Sequence, residues 1–161
     1  MKKSLNSVQV GDIYGEPGHL IRRAQQIAVA RFHEIHGRQV TPIQYAILST
    51  LHRNPGIDQV TLAQLIALDT STTADIAARL DAKGWIQREV LPRRQRRLSL
   101  TTAGAQMLLE LLPGVALVYQ GVLSGLDASE RTEFMRLLRK VVHLNDDNAL
   151  KSDPIAAKAK G

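Results

Sequence analysis

The chain has 161 residues, room for one compact domain at about 150 residues per domain, and is 44% apolar and 22% charged. That balance suits a soluble globular protein with a buried core. Aromatic residues at 4%, with 11 Gly and 6 Pro, argue against a disordered, collagenous or large β-sandwich protein. The 21 Lys and Arg outnumber 15 Asp and Glu, a net charge of +6, which favours an anionic partner: nucleic acid first, an anionic membrane surface second. The lack of cysteine removes a disulfide framework, a thiolate nucleophile and thiolate-bound zinc or iron–sulfur clusters, and fits a reducing cytoplasm.

Residues 1–16 read as an N-terminal arm with two lysines but no apolar core of signal-peptide length. Helical spacing then runs from Pro17 to about His36, with Leu20, Ala24, Ile27, Ala28, Phe32 and Ile35 on one face and Gly37 as its stop. Thr41-Pro42 reads as an N-cap followed by proline at the first helical position. The helix it opens carries Ile43, Ile47, Leu48 and Leu51, and Asn54-Pro55-Gly56 ends it.

A short extended piece around Val60 leads to Thr61-Leu-Ala-Gln64, a capping-box pattern that opens a brief helix from Leu62 to about Leu68. After Asp69-Thr70 a further helix runs from Ser71 or Thr72 to Lys83, with Ile76, Ala77 and Leu80 inward and Gly84 as a left-handed cap. Trp85 to Val90 reads as a strand, Arg97 to Leu100 as its return, and Pro92 to Arg96 as the hairpin tip.

Thr101 or Thr102 caps a long apolar helix that Pro113 kinks. Residues 103–126 contain one charge, Glu110, and are long enough to span a bilayer. Gln106, Gln120 and the Pro113-Gly114 pair favour a buried or subunit-facing helix, so no membrane partner is expected. Asp127-Ala-Ser-Glu130 is a second capping box, opening a last helix with Phe134, Leu137, Leu138 and Val141 on its buried face. Residues 145–161 read as a flexible tail.

The fold class expected is mainly α with a small β-hairpin wing: a winged helix-turn-helix with terminal dimerisation helices. The second helix of the pair can enter a DNA major groove while the hairpin reaches the backbone or minor groove beside it. Residues 88–97 hold five arginines and one glutamate. A charge run is often only a solvated turn, but this one is arginine-only and follows a plausible recognition helix. The candidate DNA-binding residues are Ser71, Thr72, Thr73, Asp75 and Arg79 on that helix, and Arg93, Arg94, Arg96 and Arg97 in the wing. Ser71 or Thr72 serves equally well as a plain N-cap, and Arg79 suits a phosphate better than a base.

Residues from about Pro17 to Leu144 resemble the MarR family of winged-helix transcriptional regulators. The matching stretches, in family order, are Thr41-Pro42-Ile-Gln-Tyr-Ala-Ile-Leu48, Thr61-Leu-Ala-Gln-Leu65, Leu68-Asp69-Thr-Ser-Thr72, Leu80-Asp-Ala-Lys-Gly84-Trp-Ile-Gln-Arg88, and Arg93-Arg94 followed by Leu98-Ser-Leu-Thr101-Thr-Ala-Gly104. Pro92 stands where the family usually has an aspartate that positions the second arginine, here Arg94, and the tip is about two residues shorter; Arg96 or Arg97 then shares that role. The resemblance implies one domain over 17–144, with a winged-helix part at 41–101 and dimerisation helices at 17–37 and 102–144. It implies a cytoplasmic homodimer on an inverted-repeat operator of double-stranded DNA, its recognition helices about 34 Å apart, and most such proteins repress until a small ligand releases them.

Many family members bind phenolic or other aromatic acids between the dimer helices and the wing domain, which calls for a cation and apolar walls. The candidates here are His19, Arg22 and Arg23 on the first helix, Arg31 inside its apolar stripe, and Tyr45 and His52 on the second. Arg31 suits a subunit-interface salt bridge as well, and His52 a capped helix end. Gly18-His-Leu-Ile-Arg-Arg-Ala-Gln-Gln26 resembles the repressors of nicotinate breakdown, which implies a hydroxynicotinate effector.

Two rival readings remain. A metal-responsive regulator of the same fold would use His33 and His36 with Glu34 between them, but lacks a further ligand at useful spacing. A protein-interaction module explains the apolar terminal helices but not the arginine hairpin, and its binding would not weaken steeply with salt. No Gly-rich phosphate loop, nucleophile elbow, His-Glu-x-x-His or carboxylate pair points to an enzyme or to a cofactor.

Overall fold

Side-chain caps and left-handed turns set most of the element boundaries in a computed structural model of the chain, which describes residues 11–92 and 96–144. Asp12 accepts from the Tyr14 N–H at 3.0 Å and closes a 3-10 turn over Ile13–Gly15. Helix α1 (Pro17–His36) starts on proline and stops at Gly37, whose φ of +69° suits glycine. Helix α2 (Pro42–Arg53) opens in a capping box: the Gln44 N–H donates to Thr41 Oγ1 and the Thr41 N–H to Gln44 Oε1.

The next two helices begin earlier than their hydroxyl patterns suggested. Strand β1 (Ile57–Asp58), not an extended piece around Val60, precedes helix α3 (Gln59–Leu65). The cap of α3 is Asp58, which accepts from the Thr61 N–H at 2.9 Å while the Thr61 hydroxyl also donates to it. A carboxylate here takes the capping role from the threonine three residues on. Helix α4 (Thr70–Ala82) repeats the substitution: Asp69 caps it, accepting from the Thr72 N–H at 2.8 Å, and neither Ser71 nor Thr72 is the cap.

Helix α4 ends in a Schellman motif, with Gly84 N–H to Asp81 O at 2.8 Å and Trp85 N–H to Leu80 O at 3.0 Å. The α3–α4 turn uses the same motif with Ala67 at φ +54°, a conformation that costs an L-residue more than glycine.

Strands β2 (Ile86–Val90) and β3 (Arg96–Leu100) form the hairpin, and β1 adds a third antiparallel strand in the order β1-β3-β2. The core gathers Ile47, Leu48 and Leu51 of α2, Leu62 of α3, Ala77 and Leu80 of α4, Ile86, Leu98, and Leu108 of helix α5 (Thr102–Val122). Thr101 caps α5, accepting from the Gly104 N–H at 3.1 Å, and the helix runs unbroken through Pro113.

Two glycines let α5 approach its neighbours. A Cβ on residue 104 would lie 1.8 Å from the Trp85 carbonyl oxygen, and one on residue 114 would lie 2.3 Å from His36 Cε1 on α1. By length and composition α5 is the one helix among the described residues able to cross a membrane. One of its sides, with Leu108, Leu111, Val115 and Val118, is buried in the fold, where α5 packs against α1, α2 and β3.

The apolar face expected to turn inward on α1 is largely exposed among the described residues: Phe32 is buried, but Leu20, Ile27 and Ile35 are 37 to 50% exposed. The chain divides into two compact units, after Val122. In the second, Asp127 and Glu130 form the expected capping box for α6 (Ala128–Val141). The buried face expected there is also a correction: Phe134, Leu137 and Val141 are exposed, and α6 has no buried residue.

Gly104→Ala forces a methyl group into the Trp85 carbonyl and should destabilise the protein by about 1–3 kcal/mol or more, measured by chemical denaturation. Ala67→Gly should raise stability by about 0.5–1 kcal/mol, because relief of left-handed strain outweighs the added chain entropy of glycine.

Candidate nucleic-acid interface and ligand cluster

Helix α4 presents Ser71, Thr72, Asp75 and Arg79 outward. Thr73 does not join them: it is 0% exposed and its hydroxyl donates to Asp69 O at 2.8 Å. The helical period explains this, since 73, 77 and 80 form the stripe that enters the core. The Thr72 side chain is directed to its own cap as well. Together with the Thr72 N–H it holds the Asp69 carboxyl below the usual carboxylate range.

Arg93 and Arg94 lie outside the described residues. Arg96 and Arg97 are both exposed on β3, but the register distinguishes them. Arg97 stands opposite Glu89 of β2 and Asp58 of β1, whereas Arg96 faces Val90. Residues directly opposite in an antiparallel pair share a face, so Arg97 lies on the same face as two acidic residues of the ladder and Arg96 on the same face as Val90. Arg88, the first of the five arginines, is held in the protein. Its Nε donates to Asp81 Oδ2 at 3.0 Å, tying β2 to α4.

The six ligand candidates separate. His19 and Arg23 meet at Tyr14: the Tyr14 and His19 rings stand edge to face at 5.7 Å, and the Arg23 guanidinium lies 5.6 Å from the Tyr14 centroid. His19 Nε2 is buried without a hydrogen-bond partner. Tyr14 belongs to the segment read from sequence as an arm; Asp12 followed by Gly15 and Pro17 was the local sign of an ordered turn.

Tyr45 belongs to a different group, 6.1 Å from Phe32, which in turn packs 4.5 Å from His36. Burial is the main cause raising the Tyr45 phenol and lowering the His36 imidazole. Arg31 pairs with Glu34 on its own helix at 2.8 Å, and its stem lies 3.4 Å from where a Cβ would stand on Gly121. Arg22 and His52 are exposed.

The two histidines weighed as metal ligands have other surroundings. His33 Nδ1 is 2.9 Å from Gly37 O, and His36 packs on Phe32. Among the described residues no group of three His, Asp or Glu gathers as a metal site would require.

A short helix, a second helix with an outward polar face, and an arginine-bearing hairpin beside it define a winged helix-turn-helix that binds DNA. Comparison with known proteins agrees. A model of the MarR family matches residues 40–98. The HTH-type transcriptional repressor NicR of Pseudomonas putida is 32% identical over 141 residues, covering 86% of this chain and 89% of NicR. The PcaV transcriptional regulator of Streptomyces coelicolor, solved with its natural ligand, matches with a TM-score of 0.78 at 33% identity, covering 84% of this chain and 98% of PcaV. BpsR of Bordetella bronchiseptica, whose DNA binding is regulated by 6-hydroxynicotinic acid, matches with a TM-score of 0.79 at 28% identity over 84% and 99% of the two chains. The chain belongs to the MarR family: it is a transcriptional regulator, and like the family it is not an enzyme.

The caps that position this interface are pH-sensitive. Asp58 is held below the usual carboxylate range by the Thr61 side chain and N–H, as Asp69 is by Thr72. With folded values depressed, these groups stabilise the fold in full above the ordinary carboxylate range and lose that contribution as pH falls through the lowered values. Thermal melts should show Tm dropping below about pH 4, with a shallower acid limb in Asp58→Asn.

Proposed function

We propose that the protein is a cytoplasmic homodimeric repressor, released from an inverted-repeat operator by a small aromatic acid such as a hydroxynicotinate or a phenolic acid. The observation that carries the effector reading is the partnerless buried His19 Nε2 beside an aromatic ring and the Arg23 guanidinium. A carboxylate or ring hydroxyl would satisfy the imidazole and pair with the cation, while the aromatic body lies along Tyr14. The uncovered apolar faces of α1 and α6 support a second copy as their cover. NicR as a repressor and BpsR as a protein regulated by 6-hydroxynicotinic acid support the sign and the ligand class.

Release requires that the ligand bind better to the spacing of recognition helices that does not fit the operator. A coupling of ~1–3 kcal/mol would lower operator affinity ~5–150-fold.

Selection from a pool of random duplexes at two salt concentrations should enrich an inverted repeat, which 6-hydroxynicotinate or a hydroxybenzoate then releases. Enrichment of a single half-site, or no release by either acid, would count against the dimer and the effector respectively. Arg23→Ala should keep operator affinity within about twofold while blunting release. Arg96→Ala should weaken binding to every duplex more than Arg97→Ala and flatten the log-affinity against log-salt slope by about 0.9, the signature of one lost phosphate contact.

A further inference from the structure

Two side-chain hydrogen bonds join distant segments and converge on neighbouring residues. Lys83 Nζ donates to Gln39 O at 3.0 Å, across 44 positions, and Thr101 Oγ1 donates to Gly84 O at 2.5 Å, across 17. Both meet the chain where α4 ends and the wing begins. Lys83 is the C-cap of α4, and its ammonium also stands 4.4 Å from the centroid of the Trp85 ring. A lysine at a helix C-terminus ordinarily serves its own last carbonyls and the helix dipole. This one reaches the connection between α1 and α2, where Gln39 adjoins the buried Val40 and the Thr41 cap.

Trp85 is itself fixed on its other side. Its carbonyl accepts from the Thr101 N–H at 3.1 Å and leaves no room for a side chain at residue 104. The recognition helix is therefore tethered at one end to the α1–α2 connection and to the start of α5.

We infer that Lys83 is a positioning residue for DNA recognition. Its clamp on Gln39 O and the Trp85 ring sets the angle at which Ser71, Thr72, Asp75 and Arg79 meet the groove, and the ammonium is not a phosphate contact. An exposed cation of this kind adds little to global stability, so its effect falls on the fit of α4 to a specific sequence. The inference rests on DNA binding by α4 and the wing, and not on any ligand.

The test compares Lys83→Met and Lys83→Arg with the wild type on a duplex selected from a random pool and on a random-sequence duplex, each at several salt concentrations. Lys83→Met keeps the aliphatic stem and removes the charge; Lys83→Arg keeps a donor and a cation for the indole face. Lys83→Met should bind the selected duplex at least fivefold more weakly and the random duplex within about twofold of wild type, with unchanged salt slopes, and Lys83→Arg should recover most of the loss. Amide exchange across residues 37–41 should also quicken in Lys83→Met by more than exchange in α2 and β3 of the same protein, a local change that a general loss of stability does not produce. Equal weakening on both duplexes with a slope shallower by about 0.9 would make Lys83 a phosphate contact and overturn the inference. So would unchanged affinity for the selected duplex, or unchanged exchange at 37–41.

Discussion

No atom larger than hydrogen fits on residue 104 beside the Trp85 carbonyl, and the winged-helix unit is organised around that contact. It sets the first turn of α5 against the first residue of the wing, where Thr101 caps α5 and bonds both Gly84 and Trp85. Leu108, one turn further along α5, then enters the same core as Leu80 of α4, Ile86 of β2 and Leu98 of β3. A close-packed core transmits displacement because it lacks slack to absorb it. Helix α5, the wing and the recognition helix therefore share one core, so that the first turns of α5 are not packed independently of either.

Carboxylates do much of the local positioning. Asp58 and Asp69 each cap a helix of the helix-turn-helix, and Asp81 holds the wing strand to α4 through Arg88. Caps of this kind satisfy backbone donors that would otherwise be orphaned. In a basic protein they also place negative charge at the starts of both helices of the helix-turn-helix. The outward face of α4 reflects that arrangement, with Asp75 and the capped Thr72 beside Arg79.

The architecture was legible in the sequence wherever one residue type carries a backbone conformation. Pro17 and Pro42 marked helix starts, Gly37 and Gly84 marked stops, and the stretches Trp85 to Val90 and Arg97 to Leu100 marked the two hairpin strands. Competition among neighbouring cap formers was not legible: Asp58 against Thr61, and Asp69 against Ser71 and Thr72, are decided by two or three residues of register. Thr73 carries a hydroxyl that suggests an outward role, but its position belongs to the inward stripe of Ala77 and Leu80. Of the ligand candidates, His19 and Arg23 meet at Tyr14, whose ring reaches them from a 3-10 turn outside the helix and so has no place in the helical period. The Lys83 to Gln39 bond spans 44 positions and leaves no periodic trace.

Counting arginines overstates the charge available to DNA. The run from Arg88 to Arg97 carries five, yet Arg88 is paired with Asp81 and Arg97 stands in register between Asp58 and Glu89. Arg96, opposite an exposed valine, meets no such acid across the ladder. Phosphate binding depends on releasing counterions from the DNA, and a cation already screened by a neighbouring carboxylate contributes less to that release. The wing thus holds Arg88 within the fold and leaves Arg96 exposed on its strand. The division follows from strand register, because a shift of one residue would turn Arg97 toward the core face and Leu98 toward solvent.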